Sequence, residues 1–333
     1  MSIGWGLIGI GVLADLSIAP AVDGDSAAHL AAVCSRSGER AKAFAAKHGA
    51  AAAYDDYPQM LADPGVDVVY IASPNALHAP HTLAAVEAGK HVLVEKPMAL
   101  ERADAHAMVD AAAANGVLLG IGFHLRHKET ARRARETIAA GGIGDVFYAE
   151  MAVGAGKGLY PYDTWRAEPA LAGGGSLLHQ GTHAVDLAAF LCGHPIVEVT
   201  CMTDLDADED VFVGTCRLAD GTLVNMASHS KRPGTRPDWT VFGTAGWLDA
   251  RGGTSPAPGD TLDLHDDNGT TRLATSAVSA YAGEVTAFTA AVRGGELNGD
   301  GADGLRAVYV AEALYRSAAD RRTVPVDPAA PGR

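Results

Sequence analysis

Short apolar runs alternate with alanine-rich stretches of helical period through the first third of this chain, and most of the helical stretches close on a glycine. The pattern predicts strands at Gly4–Gly9, Leu30–Cys34, Val66–Ala72, His91–Val94 and Val117–Ile121, with helices at Glu39–His48, Ala76–Ala88 and Arg102–Asn115 between them. Gly49, Gly89 and Gly116 stand where helices commonly end on a left-handed glycine. Such alternation predicts a doubly wound parallel α/β sheet over residues 1–122. After a helix near Lys128–Ala140 the pattern changes. Longer runs appear at Val146–Val153, Val197–Thr203, Val211–Leu218, Thr222–His229 and Thr240–Phe242, and Asp220-Gly221 reads as a hairpin turn. Residues 123–333 therefore read as an α+β domain with a large, mostly antiparallel sheet. Helices near Tyr281–Arg293 and Gly304–Ala319, a surface loop at Gly252–Gly259 and a frayed tail from Val324 to Arg333 complete it.

With 333 residues and 48% hydrophobic content the chain can bury a large core, and its length suits two domains better than one. A formal net charge of −14 argues against nucleic acid as a partner. Arg132, Arg133 and Arg135, the densest basic cluster, fit the solvated face of a helix. The four cysteines form no CxxC pair, so neither a disulfide framework nor a zinc knuckle is indicated, and free thiols suit a reducing, cytoplasmic setting. The apolar start Ile3–Ile18 lacks a basic flank and is broken by glycines and Asp15. No run reaches the ~20 apolar residues of a membrane span, so no membrane partner is expected. The sequon Asn268-Gly269-Thr270 would then go unused.

Gly9-Ile10-Gly11-Val12-Leu13-Ala14 follows the first strand and precedes a helical stretch, the context of a dinucleotide fingerprint. Gly9 would permit the tight turn, and Gly11 would let the backbone of Val12 and Leu13 approach a pyrophosphate at a helix N-terminus. A glycine turn that merely seats a helix on a sheet is the other reading. At the end of the second strand, where an acid would meet the ribose of NAD, stand Ser35, Arg36 and Ser37. Their hydroxyls and guanidinium suit a 2′-phosphate, so NADP is the expected cofactor with NAD possible; an arginine stacked on the adenine is the alternative. Ser73 or Asn75 would cap the next helix while facing the cofactor, and His78 lies in that helix's first turn.

Glu95-Lys96-Pro97 ends the fourth predicted strand and delivers an ammonium to the sheet edge where open α/β sheets bind ligands. Farther on, Gly173–Ser176 leads into a segment where His179, His183 and Asp186 would share one helix face. Core histidines or a metal held by the i, i+4 pair compete with catalysis there; no metal site is expected. Hydroxyl–carbonyl redox chemistry needs a proton donor beside the reacting oxygen, a task within reach of Lys96 and His183. His124 and Arg126, together with Tyr160, Tyr162, Asp163, Trp165 and Arg166, are candidates to line a substrate pocket.

Taken together, Gly9–Ala14, Ser73–His78, Glu95-Lys96-Pro97 and the glycine run with His183 and Asp186 resemble the glucose–fructose oxidoreductase/inositol dehydrogenase/MocA family over nearly the whole chain. Gly122–Arg126, Ile143–Val146 and Trp165-Arg166 are similar in particular to its NADP-linked sugar dehydrogenases. The resemblance implies a Rossmann domain, a following α/β domain whose open sheet makes subunit contacts in a homodimer or homotetramer, and an active site between them. It implies Lys96 as catalytic lysine, positioned by Glu95 and Pro97, and His183 as catalytic histidine. The family usually has aspartate where this chain has His179, which exchanges an acceptor-only group for one that can also donate or carry positive charge. His179 is accordingly expected to bind a substrate hydroxyl or tune Lys96, or else to be structural. The implied activity is an NAD(P)-dependent oxidoreductase acting on a sugar, sugar derivative or cyclic polyol. A redox-neutral NAD-dependent glycosidase and a non-catalytic nicotinamide-binding regulator are the alternatives on the same scaffold.

Overall fold

The computed structural model describes residues 2–154, 164–204, 208–231, 234 and 236–327. The chain divides into two compact units, Met1–Gly122 with Tyr281–Leu305, and Phe123–Ala280 with the described residues from Arg306 on. In the first, β1 (Ile3–Ile8), β2 (Ala28–Cys34), β3 (Ala52–Tyr54), β4 (Val68–Ile71), β5 (His91–Val94) and β6 (Leu119–Ile121) form one sheet in the order β3-β2-β1-β4-β5-β6. Every pairing is parallel. The strands' continuous apolar runs fit a sheet covered on both faces. The covering helices are α1 (Ala19–Asp23), α2 (Gly38–His48), α3 (Tyr57–Leu61), α4 (His78–Glu87) and α5 (Arg102–Asn115). Between Gly11 and α1 the chain winds through a π-helical turn at Ala14–Ile18. Pro20 follows at the second position of α1, and a proline that supplies no N–H favours such a local change of winding.

Cutting the chain once after Gly122 does not describe this unit. The helix α9 (Ala280–Val292, numbered in chain order) returns to it, with Val285 and Phe288 in one buried cluster with Trp5, Leu7 and Ile18. The Trp5 and Phe288 rings meet edge to face at 5.8 Å, and Gly120 leaves the space a side chain would take from Phe288. A stretch remote in sequence thus completes the apolar cover of the parallel sheet.

The second unit contains α6 (Glu129–Ala139), β7 (Val146–Gly154), α7 (Pro169–Ala172), α8 (Thr182–Cys192), β8 (Ile196–Thr203), β9 (Val211–Leu218), β10 (Leu223–His229), β11 (Trp239–Gly243), β12 (Gly246–Arg251), β13 (Thr261–Asp266), β14 (Gly269–Thr275) and β15 (Val324–Pro325). Its nine-stranded sheet runs β14-β13-β12-β11-β7-β10-β9-β8-β15. Among the described residues, only the β7–β10 pair in it is parallel. One face carries buried Ala149, Met151, Val224, Met226 and Leu248, with α8 packed on β7 and β10.

Three expectations are corrected here. The Gly252–Gly259 stretch is not simply a surface loop: buried Lys128 donates to the carbonyls of Ser255 (2.5 Å) and Ala257 (3.0 Å) and pairs with Asp260 at 3.0 Å. The tail is not frayed from Val324, because β15 pairs with β8. The strands β3, β12, β13, β14 and β15 add to those expected. Among the described residues, no helix is long and apolar enough to cross a membrane. The helix α10 (Gly301–Asp320) begins among residues of the first unit and ends among those of the second.

Candidate active site

In the first unit, parallel pairing sets the carboxyl ends of β1, β2, β4 and β5 along one sheet edge, and the strand order reverses between β1 and β4. Gly9, Ser35, Ser73 and Glu95 each lie within two residues of those ends, at the switch point where such sheets bind ligands. Gly9 has φ +87°, and a Cβ on it would come within 2.4 Å of the Ala72 carbonyl carbon. Only glycine permits that turn. Gly11 is exposed, and a Cβ there would meet nothing within 4 Å, so its backbone borders open space at the start of a helical run. The Asp15 amide donates to the Gly11 carbonyl at 3.0 Å, and Val12 and Leu13 form the first helical positions. Exposed helix-start backbone next to open space fits a pyrophosphate.

At the end of β2, Ser37 caps α2 by accepting from the Arg40 amide at 3.3 Å, and the Ser35 hydroxyl accepts from the Ser37 amide at 3.4 Å. Arg36 is exposed beside them. The Asp55 carboxylate approaches as well: a Cβ on Gly38 would lie 3.0 Å from Asp55 Oδ2.

The Ser73 capping expectation is not met. Pro74 occupies the cap position without a side-chain cap bond, and Asn75 opens a 3-10 turn, Asn75–Leu77. The Ser73 hydroxyl instead lies 3.0 Å from His81 Nδ1. His78 is buried, with Nδ1 2.7 Å from the Pro97 carbonyl and Nε2 3.0 Å from that of Ser73. Burial pushes its pKa down to about 4, against the pull of the two carbonyls. A neutral ring therefore donates to one of them and ties the turn carrying Ser73 to the turn carrying Lys96.

Glu95 is buried, its Oε1 accepting from the Tyr70 hydroxyl at 2.6 Å and its Oε2 from the Lys96 amide at 3.3 Å. Burial, reinforced by the Glu95 and Glu284 carboxylates, pushes the Tyr70 phenol well up, so it stays a donor. The half-buried Lys96 side chain thus leaves a backbone fixed on both sides. Its peptide bond to Pro97 is cis.

In the second unit, the glycine run does not lead directly into an α-helix. Leu177–Gly181 is wound as a π-helical turn, and α8 begins at Thr182. The wider turn changes the simple i, i+4, i+7 count, and the three groups find separate neighbours. The rings of His179 and Trp165 meet edge to face at 5.9 Å, as do those of His183 and His124 at 4.6 Å. Arg126 Nε lies 3.0 and 2.9 Å from the two Asp186 oxygens, and its Nη2 donates to Oδ1 at 2.5 Å. His124, Arg126, His179, His183 and Asp186 are all buried. Arg166 lies over the Trp165 ring at 4.4 Å. The candidates Tyr160, Tyr162 and Asp163 fall outside the described residues.

Glu209 and Tyr315 were not singled out from the sequence. Glu209 is an acid between two aspartates in a loop, a context that reads as solvated, yet it is 2% exposed and bound to the glycine run.

A family model described as an oxidoreductase family with an NAD-binding Rossmann fold matches residues 3–123, and one for the GFO/IDH/MocA C-terminal domain matches residues 131–249. The chain belongs to the GFO/IDH/MocA oxidoreductase family. It is 31% identical to 1,5-anhydro-D-fructose reductase of Ensifer adhaerens, over 97% of this chain and 98% of that one. It is likewise 31% identical to D-xylose 1-dehydrogenase (NADP(+)) 2 of Haloferax volcanii, over 97% and 99%. Among solved structures, aldose-aldose oxidoreductase from Caulobacter crescentus, complexed with glycerol, superposes with a TM-score of 0.89 at 28% identity, covering 98% of this chain and 100% of that one. Membership accounts for the pairing of a parallel dinucleotide-type sheet with a second, open sheet.

Proposed function

We propose that this family member is an NADP-preferring sugar or polyol dehydrogenase or reductase, interconverting a hydroxyl and a carbonyl. The observation that carries the reading is Lys96, held by Glu95 at the ligand-binding edge of a nucleotide-type sheet. Bound nicotinamide supplies or takes up a hydride at the reacting carbon. Lys96 donates to the substrate oxygen and stabilises the alkoxide, and His183 gives or takes that oxygen's proton. His179 and Trp165, joined edge to face, serve a substrate hydroxyl and a sugar face. Arg126 and Asp186 set the turn that brings His124 onto His183.

Gly9, Gly11, Val12 and Leu13 hold the pyrophosphate, and Ser35, Arg36 and Ser37 hold the 2′-phosphate. Relatives named for NADP support that preference. The protein acts as a cytoplasmic homodimer or homotetramer. Four buried thiols suit a reducing compartment, and the outer face of the second sheet exposes Met202, Val213, Leu223 and Trp247. A screen of sugars and polyols with NADP and NAD in both directions, followed by nicotinamide absorbance, tests the activity. Stoichiometric cofactor turnover is expected. Sugar conversion with no net turnover would instead mark the redox-neutral glycosidase, and binding without turnover the regulator.

A further inference from the structure

Along the glycine run, two neighbours fill the places that side chains on Gly174 and Gly175 would take. A Cβ on Gly174 would lie 2.1 Å from the Tyr315 hydroxyl, and one on Gly175 would lie 2.0 Å from the Glu209 carbonyl oxygen. The run is a close-packed seat. Glu209, in the connection between β8 and β9, grips it at three successive amides. Its Oε2 accepts from the Gly175 amide at 2.9 Å, its backbone carbonyl from Ser176 at 2.7 Å, and its Oε1 from Leu177 at 2.9 Å. The Tyr315 hydroxyl donates to the same Oε1 at 3.0 Å. The next link is short: the His179 amide donates to the Gly175 carbonyl at 2.9 Å.

We propose that Glu209 is a positioning residue for the active-site histidines, fixing the turn of residues 175–177 from which the π-wound segment with His179 and then His183 in α8 emerge. The inference rests on the proposed role of His183 in proton transfer. All of the bonds to the carboxylate come from donors, a pattern that an ionised acid satisfies and an amide does not. Burial raises the Glu209 carboxyl, and the amides and Tyr315 hydroxyl oppose that. Ionised at a helix start, the group also meets the favourable end of the peptide dipoles. In Glu209→Gln the new NH2 must face a donor, either the Gly175 amide or the Leu177 amide with Tyr315. The seat must then shift, and with it the two rings.

The test compares wild type, Glu209→Gln and Tyr315→Phe as full-length proteins containing ring-labelled histidine, with signals assigned through His179→Asn and His183→Asn. The His179 and His183 resonances are expected to move in Glu209→Gln, and to a smaller extent in Tyr315→Phe, while the His78 resonance stays. With 1,5-anhydro-D-fructose and NADPH or D-xylose and NADP as probes, kcat should fall roughly tenfold to a hundredfold in Glu209→Gln. Its pH profile should shift, with the NADPH dissociation constant within about twofold of wild type. Superimposable His179 and His183 signals in both variants would overturn the proposal. If Glu209→Gln does not fold, Tyr315→Phe decides alone by the same signals. Wild type that turns over neither probe nor any other sugar would count against the proposed activity, and the resonances would still decide the role of Glu209.

Discussion

Replacing Asp186 with asparagine keeps the volume of the side chain and removes the charge that faces Arg126. The two groups are 4% and 8% exposed, and three donor–acceptor contacts of 2.5 to 3.0 Å join them. The guanidinium lies 5.3 Å from the Phe123 ring centre and 5.2 Å from that of Phe190, so water has little access to a charge left behind. Removing one partner of such a buried pair costs about 3 to 5 kcal/mol. At roughly 2 to 4 °C per kcal/mol for a domain of this size, the melting transition should fall by about 6 to 20 °C. Thermal unfolding followed by circular dichroism at low and high salt measures it. The loss should be nearly independent of salt, since buried charges are poorly screened. Turnover should fall too, because the pair anchors the turn that sets His124 against His183. The double variant Asp186→Leu/Arg126→Met should recover most of the stability and little of the turnover. A variant Asp186→Asn that melts within about 1 °C of wild type at both salts would refute the reasoning.

Acid should destabilise the protein through two buried imidazoles. Burial beside Arg126 and Arg132 pushes His127 down to about 4 from 6.5, and burial likewise sets His78 at about 4. The unfolded chain binds protons on both rings as pH drops below 6.5, whereas the native rings wait until about 4, so the stabilisation present above 6.5 is lost across that window. Each ring accounts for at most about 3 kcal/mol. Melting temperature against pH should flatten in His127→Gln; an unchanged slope would contradict the assignment. At the cofactor edge, Arg36→Ala should weaken NADPH relative to NADH about tenfold by fluorescence titration. Asp55→Asn, which removes a carboxylate beside Gly38, should tighten NADPH about twofold, and equal effects on both cofactors would argue against a 2′-phosphate there.

In the first sheet β1, β2, β4, β5 and β6 were legible because their apolar runs are buried, and half-buried β3 was not; β5 and α5 fall where their apolar runs and capping glycine put them. In the second sheet, β14 has the pattern of an exposed edge, GTTRLAT, with Ala274 its one buried residue, and no alternation marks it as a strand. The residues His183, His124, Trp165 and Arg126 were visible as types near glycines and aromatics. Which of them pair was not, because the Arg126–Asp186 pair spans 60 residues. Glu209 was hidden for the same reason, since its partners Gly175 and Tyr315 lie 34 and 106 residues away. Local pattern does not mark a π-wound turn either; Leu177–Gly181 reads as ordinary helix. The segment at α9 was placed as a helix, but its apolar face does not name which sheet it covers.

Lys96 and His183 are proposed to supply the polar chemistry of a nicotinamide-dependent reaction. The direct measurement is single-turnover and steady-state kinetics of Lys96→Ala and His183→Asn beside NADPH titration of the same proteins. Both variants should bind NADPH as wild type does and lose at least about a hundredfold in kcat. A Lys96→Ala protein that retains full turnover would contradict it.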